Sequence, residues 1–391
     1  MSEYPVEPEF REIRLPNGLL KVHVHHAYWP LNRLCGFAAR NNPRRGFLFV
    51  SKVLGKHWPS DPLEMLAAHE ALASRISPPD AVPAVFIGMA ETATGLGQGV
   101  FEAYLRRYGP GSAIYIQTTR YPISGATILP FEEKHSHAQR LRLHWPERTD
   151  LQAIFLNAPM AVLIDDELST GQTFLALSAA YQAVNPSLRR LSLVSLTDFM
   201  GDDARACFKV RAGVEKVNFI SLLAGSFEFK SNPAFCAAAP ATAQAEVSCR
   251  RAQMGPFSAR LGTDQPVHLP DTLMTNLLKQ LPVGRPVLVL GTGEFMHPAF
   301  CVAQKLAHTG RTVTVQSTTR SPILMAADIQ SCIKVPDPYG EAIPNYLYNV
   351  NPAGQSIILC TETQPSERLA DIERTLEAKL VMLNGAVHHG P

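Results

Sequence analysis

Two adjacent acids at the end of an apolar run are the first chemistry the sequence offers. In AVLIDDELSTGQTFLALSAAYQ (161–182), four apolar residues, Ala161 to Ile164, lead into Asp165 and Asp166. A short loop, Glu167 to Thr173, follows, and then an amphipathic helix. An apolar run bounded by such signals predicts a buried strand. Two carboxylates at its end can accept hydrogen bonds from vicinal hydroxyls. The loop's backbone N–H groups, the hydroxyls of Ser169, Thr170 and Thr173, and the helix N-terminus can cradle a phosphate. Gly171 permits close backbone approach. Ligands of parallel sheets bind outside the carboxyl ends of the strands, where this loop falls. A ribose phosphate carries both kinds of group. The plainer alternative is a strand-end turn with a helix cap, and the acid pair alone does not decide between them.

The elements that must position this loop are written twice. TTRYPI (118–123) and TTRSPI (318–323) match at five of six positions. Upstream stand PAVFIGMAE (83–91) and PVLVLGTGE (286–294), each with Gly at the sixth position (Gly88, Gly291) and Glu at the ninth (Glu91, Glu294). Helix-like stretches ending on Gly follow, then the strands AIYIQ and TVTVQ. Strand, Glu-bearing loop, helix, strand, Thr-Thr-Arg loop is a βαβ crossover in duplicate. The expected fold is α/β, with two related domains built on parallel sheets. Where the acid motif would recur stands SIILCTETQPSERL (356–369), without the acid pair and with Pro365 in the loop. The second domain is therefore expected to be a degenerate duplicate without the ligand loop. Residues 230–256 are Ala/Pro/Ser-rich and lack a clear period, so the expected division is 1–229, a linker at 230–256, and 257–391.

VLIDDELSTGQT resembles the phosphoribosyl-pyrophosphate (PRPP) motif of type I phosphoribosyltransferases. The resemblance implies that Asp165 and Asp166 hold the ribose hydroxyls and that Ser169, Thr170, Gly171, Gln172 and Thr173 bind the 5′-phosphate. Ser169 stands where the 6-oxopurine enzymes place an Asp, which speaks against a hypoxanthine or guanine acceptor. More widely, the chain is similar to a two-domain phosphoribosyltransferase group of tellurite-resistance-type biosynthetic clusters. The C-terminal (TRSP) domain of that group is named for the tetrapeptide that here is Thr319-Arg320-Ser321-Pro322. GFAARNNPRRGFLFVSKVLGKH (36–57), FEEKHSHA (131–138) and DPYGEAIPNYLYN (337–349) extend the resemblance.

The remaining assignments follow from this. Leaving pyrophosphate needs a cation and exposed N–H groups. Ser51 and Lys52, after an early strand, are expected there, with Lys56 a weaker candidate and a solvated basic turn the alternative. Arg120 either reaches pyrophosphate or pairs with Glu91. FEEKHSHAQRLRLHWP (131–146) falls where the family has a mobile hood. It supplies Lys134, expected to be catalytic with Asp165 and Asp166, and His135 and His137. Those two histidines, Glu91 and Arg320 are assigned to the acceptor or to the contact between domains. The i, i+2 spacing of His135 and His137 is poor for a metal, and no protein-only metal site is expected. The implied cofactor is Mg2+, held mainly by substrate oxygens with Asp165 and Asp166 as the nearby protein carboxylates. His23 and His25 in LKVHVHHAYW alternate as one face of a strand.

Composition sets the outer bounds. The 391 residues are 46% hydrophobic with a formal charge of +2, enough for sizeable cores and too balanced for a nucleic-acid partner. Seven dispersed cysteines without a CxxC pair suggest a reducing compartment. The N-terminal MSEYPVEPEFRE is acidic, and no apolar stretch reaches the ~20 residues that span a bilayer, so a cytoplasmic protein without membrane contact is expected. The expected partners are PRPP and a small-molecule acceptor, with a homo-oligomer left open. The rival to an enzyme is a non-catalytic PRPP- or nucleotide-binding regulator.

Overall fold

The structure is a computed structural model that describes residues 7–42, 45–78, 80–129, 131, 141–235, 257–341 and 343–383. Strands β1 (Glu9–Leu15) and β2 (Gly18–Ala27) form an antiparallel hairpin. After α1 (Leu31–Leu34), a second hairpin of β3 (Cys35–Ala39) and β4 (Phe47–Ser51) stands outside the main sheet. Next come α2 (Pro62–Ala73), β5 (Ala84–Gly88), α3 (Thr94–Tyr108) and β6 (Ala113–Gln117). The short pair β7 (Ile128–Leu129) and β8 (Leu143–His144) precedes α4 (Thr149–Asn157), β9 (Met160–Leu168) and α5 (Gln172–Val184). The first half closes with β10 (Arg190–Asp198), α6 (Asp202–Ala212) and β11 (Lys216–Ser231).

These strands build a seven-stranded sheet in the order β1-β2-β11-β10-β9-β5-β6. The five strands from β11 to β6 are parallel, and the β1–β2 hairpin joins the edge antiparallel. Val85, Phe86 and Ile87 of β5, one strand in from the edge, are fully buried, as continuous apolar runs in parallel sheets must be. The chain winds outward in opposite senses from β5 and from β9. The crevice at their carboxyl ends is thus the topological switch point.

The second half contains α7 (Asp271–Gln280), β12 (Val287–Gly291), α8 (His297–Ala307), β13 (Val313–Ser317), β14 (Cys332–Val335), β15 (Asn345–Tyr348), β16 (Ser356–Thr361), α9 (Glu367–Leu376) and β17 (Lys379–Met382). Its parallel sheet runs β13-β12-β16-β17, the order that β6-β5-β9-β10 has in the first half. Helix α3 packs on β5 and β6, α8 packs on β12 and β13, and the two helices pack on each other with α2 alongside. One apolar core runs through this seam.

Two expectations need adjustment. Strand β9 does not stop at Ile164 but continues through both acids to Leu168, because β10 keeps pairing with it (Asp165 beside Ser195, Leu168 beside Asp198). Strand β11 reaches Ser231, inside the span expected as linker, because β2 pairs with it to the end. Residues 236–256 of that span lie outside the described residues. His23 and His25 do share the exposed face of β2. Among the described residues, no helix is long and apolar enough to cross a membrane.

Candidate active site

At the switch point lies an open cavity of about 240 Å3, lined by Arg40, Arg45, His57, Thr92, Asp165, Asp166, Glu167 and the loop through Phe174. The acid pair is held in place. Asp166 N–H donates to Asp165 Oδ1 at 2.9 Å, and Thr92 Oγ1 donates to Asp166 Oδ1 at 2.9 Å. Glu167 receives Arg45 Nη2 at 2.6 Å. Burial, reinforced by the Asp166 charge, pushes the Asp165 carboxyl well above the ordinary carboxylate range. A site that crowds carboxylates this way is built to receive a cation or hydroxyl donors.

The loop after β9 is shaped by one residue. Gly171 has φ +68° immediately before α5, and a Cβ there would run into Met200 Cε and approach Phe208 Cδ2 at 3.1 Å. Only glycine meets both demands. Gly171 brings no capping side chain to α5, Thr170 Oγ1 accepts from Gln172 N–H at 3.4 Å, and the helix N-terminus borders the cavity, where its dipole favours an anion. Ser169, Thr170, Gln172 and Thr173 all line the cavity.

The cations differ from expectation. Arg40 reaches the cavity from the end of β3, half-buried, and among the described residues its Nε has no hydrogen-bond partner. Its Nη2 donates to Ser321 Oγ at 3.1 Å, so the Thr-Arg-Ser-Pro loop of the second domain grips a cavity residue of the first. Burial, aided by the charges of Arg40 and Lys56, holds the His57 imidazole down at about 3, neutral at pH 7. Ser51 and Lys52 do not line the cavity. Ser51 Oγ accepts from Val53 N–H at 3.3 Å and Lys52 Nζ donates to the Asn32 carbonyl at 3.1 Å. The loop that borders the acids from a neighbouring strand is instead the one after β5, through Thr92. Arg120 Nε lies 4.0 Å from Glu91 Oε2 without a hydrogen bond of its own, so of its two expected partners the structure brings Glu91 near. Lys134, His135 and His137 lie outside the described residues. Arg40, Arg45, His57 and Thr92 were not anticipated. Each sits far from the acid motif in sequence, and only the sheet order brings them together.

The repeated phrase has a structural explanation. Thr118 Oγ1 accepts from Ala90 N–H at 2.8 Å, and Thr318 Oγ1 accepts from Gly293 N–H at 2.9 Å. Thr119 and Thr319 Oγ1 accept from Tyr121 and Ser321 N–H at 3.1 and 3.2 Å. In each half, the threonines tie the Glu-bearing loop to the next strand and tighten the turn. Glu294 locks the halves together, accepting from Thr119 Oγ1 at 2.6 Å and from Arg120 N–H at 2.8 Å. Arg320 is committed to Glu341 (2.7 Å), Asp337 (3.3 Å) and, across the seam, Tyr121 Oη (2.7 Å).

The second half has no open counterpart of the acid pair. Ile87 pairs with Leu163, and its counterpart Leu290 pairs with Leu359. Counting two and three residues on, Thr361 and Glu362 occupy the places of Asp165 and Asp166. Glu362 is buried and filled from its own surroundings, by Arg260 Nη1 at 2.8 Å and Tyr339 Oη at 2.7 Å.

A parallel α/β domain with paired acids and a glycine loop at its switch point has a phosphoribosyltransferase-like fold. In agreement, residues 34–226 match the model of a phosphoribosyl transferase family, and residues 260–378 match that of the TRSP domain, C terminus to PRTase_2. The first domain is thus of the phosphoribosyltransferase type, followed by a TRSP domain. Among solved structures, the chain is similar to adenine phosphoribosyl transferase from Trypanosoma brucei in complex with AMP, pyrophosphate and ribose-5-phosphate (14% identity, 49% of this chain and 78% of that one, TM-score 0.33). It is also similar to adenine phosphoribosyltransferase from Leishmania tarentolae (16%, 50% and 85%, 0.33) and to a hypoxanthine phosphoribosyl transferase from Trypanosoma cruzi (16%, 36% and 67%, 0.25). No curated protein matches the sequence.

Proposed function

We propose that the protein transfers the 5-phosphoribosyl group of PRPP to a nitrogen of a base-like acceptor and releases pyrophosphate. The observation that carries this reading is the placing of Asp165, Asp166 and the α5 N-terminus around one cavity. The two acids accept the ribose 2′- and 3′-hydroxyls. Ser169 to Thr173 and the helix N-terminus take the 5′-phosphate. The C1–O bond to pyrophosphate breaks as the C1–N bond forms, and the acceptor nitrogen gives up its proton. Arg40, half-buried and without a carboxylate ion pair among the described residues, is the cation for the departing charge, and Arg120 and Lys134 are further candidates. Three consecutive carboxyl groups are oxygen donors of the kind Mg2+ prefers, and the crowding of Asp165 is what a divalent cation relieves. Asp165 and Asp166 would hold Mg2+ together with substrate oxygens, and the ion would neutralise pyrophosphate charge. Neutral His57 and Ser169 face the cavity as polar walls for substrate.

The second domain serves this site through Ser321, which orients Arg40. Duplication and loss account for the shared strand order, with Arg260 and Tyr339 filling the second site. Production of a nucleotide-like metabolite in a tellurite-resistance-type cluster, as the resemblance implies, suits an acceptor outside 6-oxopurine salvage.

The test is calorimetric titration of the full chain with PRPP and Mg2+, on wild type and Asp165→Asn/Asp166→Asn. Binding by the wild type and loss in the double variant are expected, after which pyrophosphate release reports on trial acceptors. A wild type that binds no PRPP overturns the reading. Binding without pyrophosphate release across base-like acceptors would favour the regulatory alternative.

A further inference from the structure

Where α3 and α8 meet, three side chains gather that phosphoribosyl transfer does not use. Glu102 of α3 and His297 and Cys301 of α8 place an oxygen, a nitrogen and a sulfur within 4.8 Å of one another. His297 and Cys301 stand four residues apart, so they share one helix face. Both are buried, and Glu102 is only 9% exposed. The carboxylate is fixed from behind, because Val267 N–H donates to Glu102 Oε1 at 2.9 Å. His297 Nε2 contacts the same oxygen at 2.7 Å. The His297 ring is also in hydrogen-bond contact with the Cys301 thiol, while both ring nitrogens of His69 on α2 are buried with no hydrogen-bond partner among the described residues. Phe300 packs against both imidazoles, at 5.1 Å from His69 and 5.5 Å from His297. Gly99 makes the room, since a Cβ there would run into the His69 ring. Buried polar atoms are normally satisfied. The two His69 nitrogens at this helix interface are not.

We propose that Glu102, His297 and Cys301 form a divalent transition-metal site, of the zinc class, that clasps the two domains. Zinc takes this mixture of donors, with bonds of about 2.0–2.3 Å. Donor atoms within 4.8 Å of one another can share one ion at such lengths. Thiolate and imidazole select zinc-like ions over Mg2+. Binding takes Cys301 as thiolate, with its proton released to solvent, and turns the Glu102–His297 contact outward onto the ion. His69 is a further unsatisfied donor at the same interface. None of the three ligands lines the Asp165 cavity, so the site is separate from the proposed transferase centre.

The experiment uses the full chain, stripped with a chelator and titrated with Co2+ as a coloured stand-in for zinc. One equivalent should bind with a thiolate-to-cobalt charge-transfer band, Zn2+ should displace it, and Zn2+ should raise the melting temperature. Cys301→Ser should abolish the band. Cys360→Ser, which removes a buried thiol on β16, should keep it. His297→Gln should weaken Co2+ binding about tenfold or more. A folded wild type that takes up neither ion stoichiometrically overturns the proposal, and so does a band that survives Cys301→Ser. The wild-type titration decides the matter even where a variant fails to fold. The readout is independent of PRPP, so its failure is distinct from failure of the transferase reading.

Discussion

Lys56 Nζ lies 2.7 Å from Glu91 Oε1, and the lysine side chain is fully buried. The same ammonium donates to the Gly293 carbonyl at 2.7 Å and to the Thr318 carbonyl at 2.8 Å. A lysine of the first domain is thus the plug of the second domain's Thr-Thr-Arg loop, paired with the first domain's own repeat glutamate. Removing one partner of such a pair strands a buried charge. Lys56→Met should destabilise the chain by about 3–5 kcal/mol, and Lys56→Met/Glu91→Leu by clearly less than the two single changes summed. Urea midpoints of the four proteins measure this, and simple additivity would show that the pair is not coupled.

The pair also sets a pH dependence. Burial alone would raise the Glu91 carboxyl, but the Lys56 and Arg120 charges outweigh it and hold it at about 2, against 4.5 for a free glutamate. A folded value below the unfolded one means stability that is fully present above pH 4.5 and lost as pH falls toward 2. Burial pushes the Lys56 ammonium down at the same time, which offsets part of this stabilisation at neutral pH. Unfolding free energy should fall across that window in the wild type, and less steeply in Glu91→Gln.

The strand–helix order and the ligand loop were readable from the chain because they are local. Apolar runs, a turn glycine and an acid pair lie within a dozen residues in 161–173. The two βαβ units were readable because they repeat. What was not readable depends on long-range pairing. Nothing near Ser51 and Lys52 says that the hairpin of β3 and β4 stands outside the main sheet, leaving Arg40 and Arg45 as its contribution to the cavity. Lys56 reads as a weaker pyrophosphate candidate or part of a solvated basic turn, whereas the second domain closes over it. Glu91 and Glu294 are identical in motif, yet one finds a lysine and the other a threonine and Arg260.

The crowded Asp165 carboxyl costs stability at neutral pH. A carboxyl pushed well above its ordinary range by burial and by Asp166 favours the folded state at low pH. That contribution is lost as pH rises through the unfolded value, where the unfolded chain ionises first. Asp165→Asn should therefore leave the ligand-free protein at pH 7 at least as stable as wild type while abolishing PRPP binding. Thermal melts and calorimetry on the same sample check both halves. A variant that loses stability would mean that the carboxylate is structurally satisfied.

Gly171→Ala should fail on two counts. Its φ of +68° is strained for alanine, and the methyl group has no room beside Met200 and Phe208. A loss of about 1–2 kcal/mol in stability is expected, with a larger proportional loss of PRPP affinity because the loop itself must shift. Ala176→Gly, within α5, is the control: about 1 kcal/mol of helix propensity lost with the phosphate loop intact.

Ser321 and Arg320 are neighbours with separable roles. Arg320→Ala removes a nearly buried cation shared by Asp337, Glu341 and Tyr121, and should destabilise the second domain by about 3 kcal/mol or more. Ser321→Ala removes one hydroxyl from Arg40, at 3.1 Å, and should leave the melting temperature within a few degrees. Its effect should appear in binding. A hydrogen bond of about 1 kcal/mol predicts PRPP affinity roughly fivefold weaker, and Arg40→Gln should weaken it further by removing the charge itself. The double variant should bind no more weakly than Arg40→Gln alone, because the serine acts only through the arginine. Additive losses would instead place Ser321 in direct contact with substrate, and wild-type affinity in Arg40→Gln would remove the guanidinium from the site.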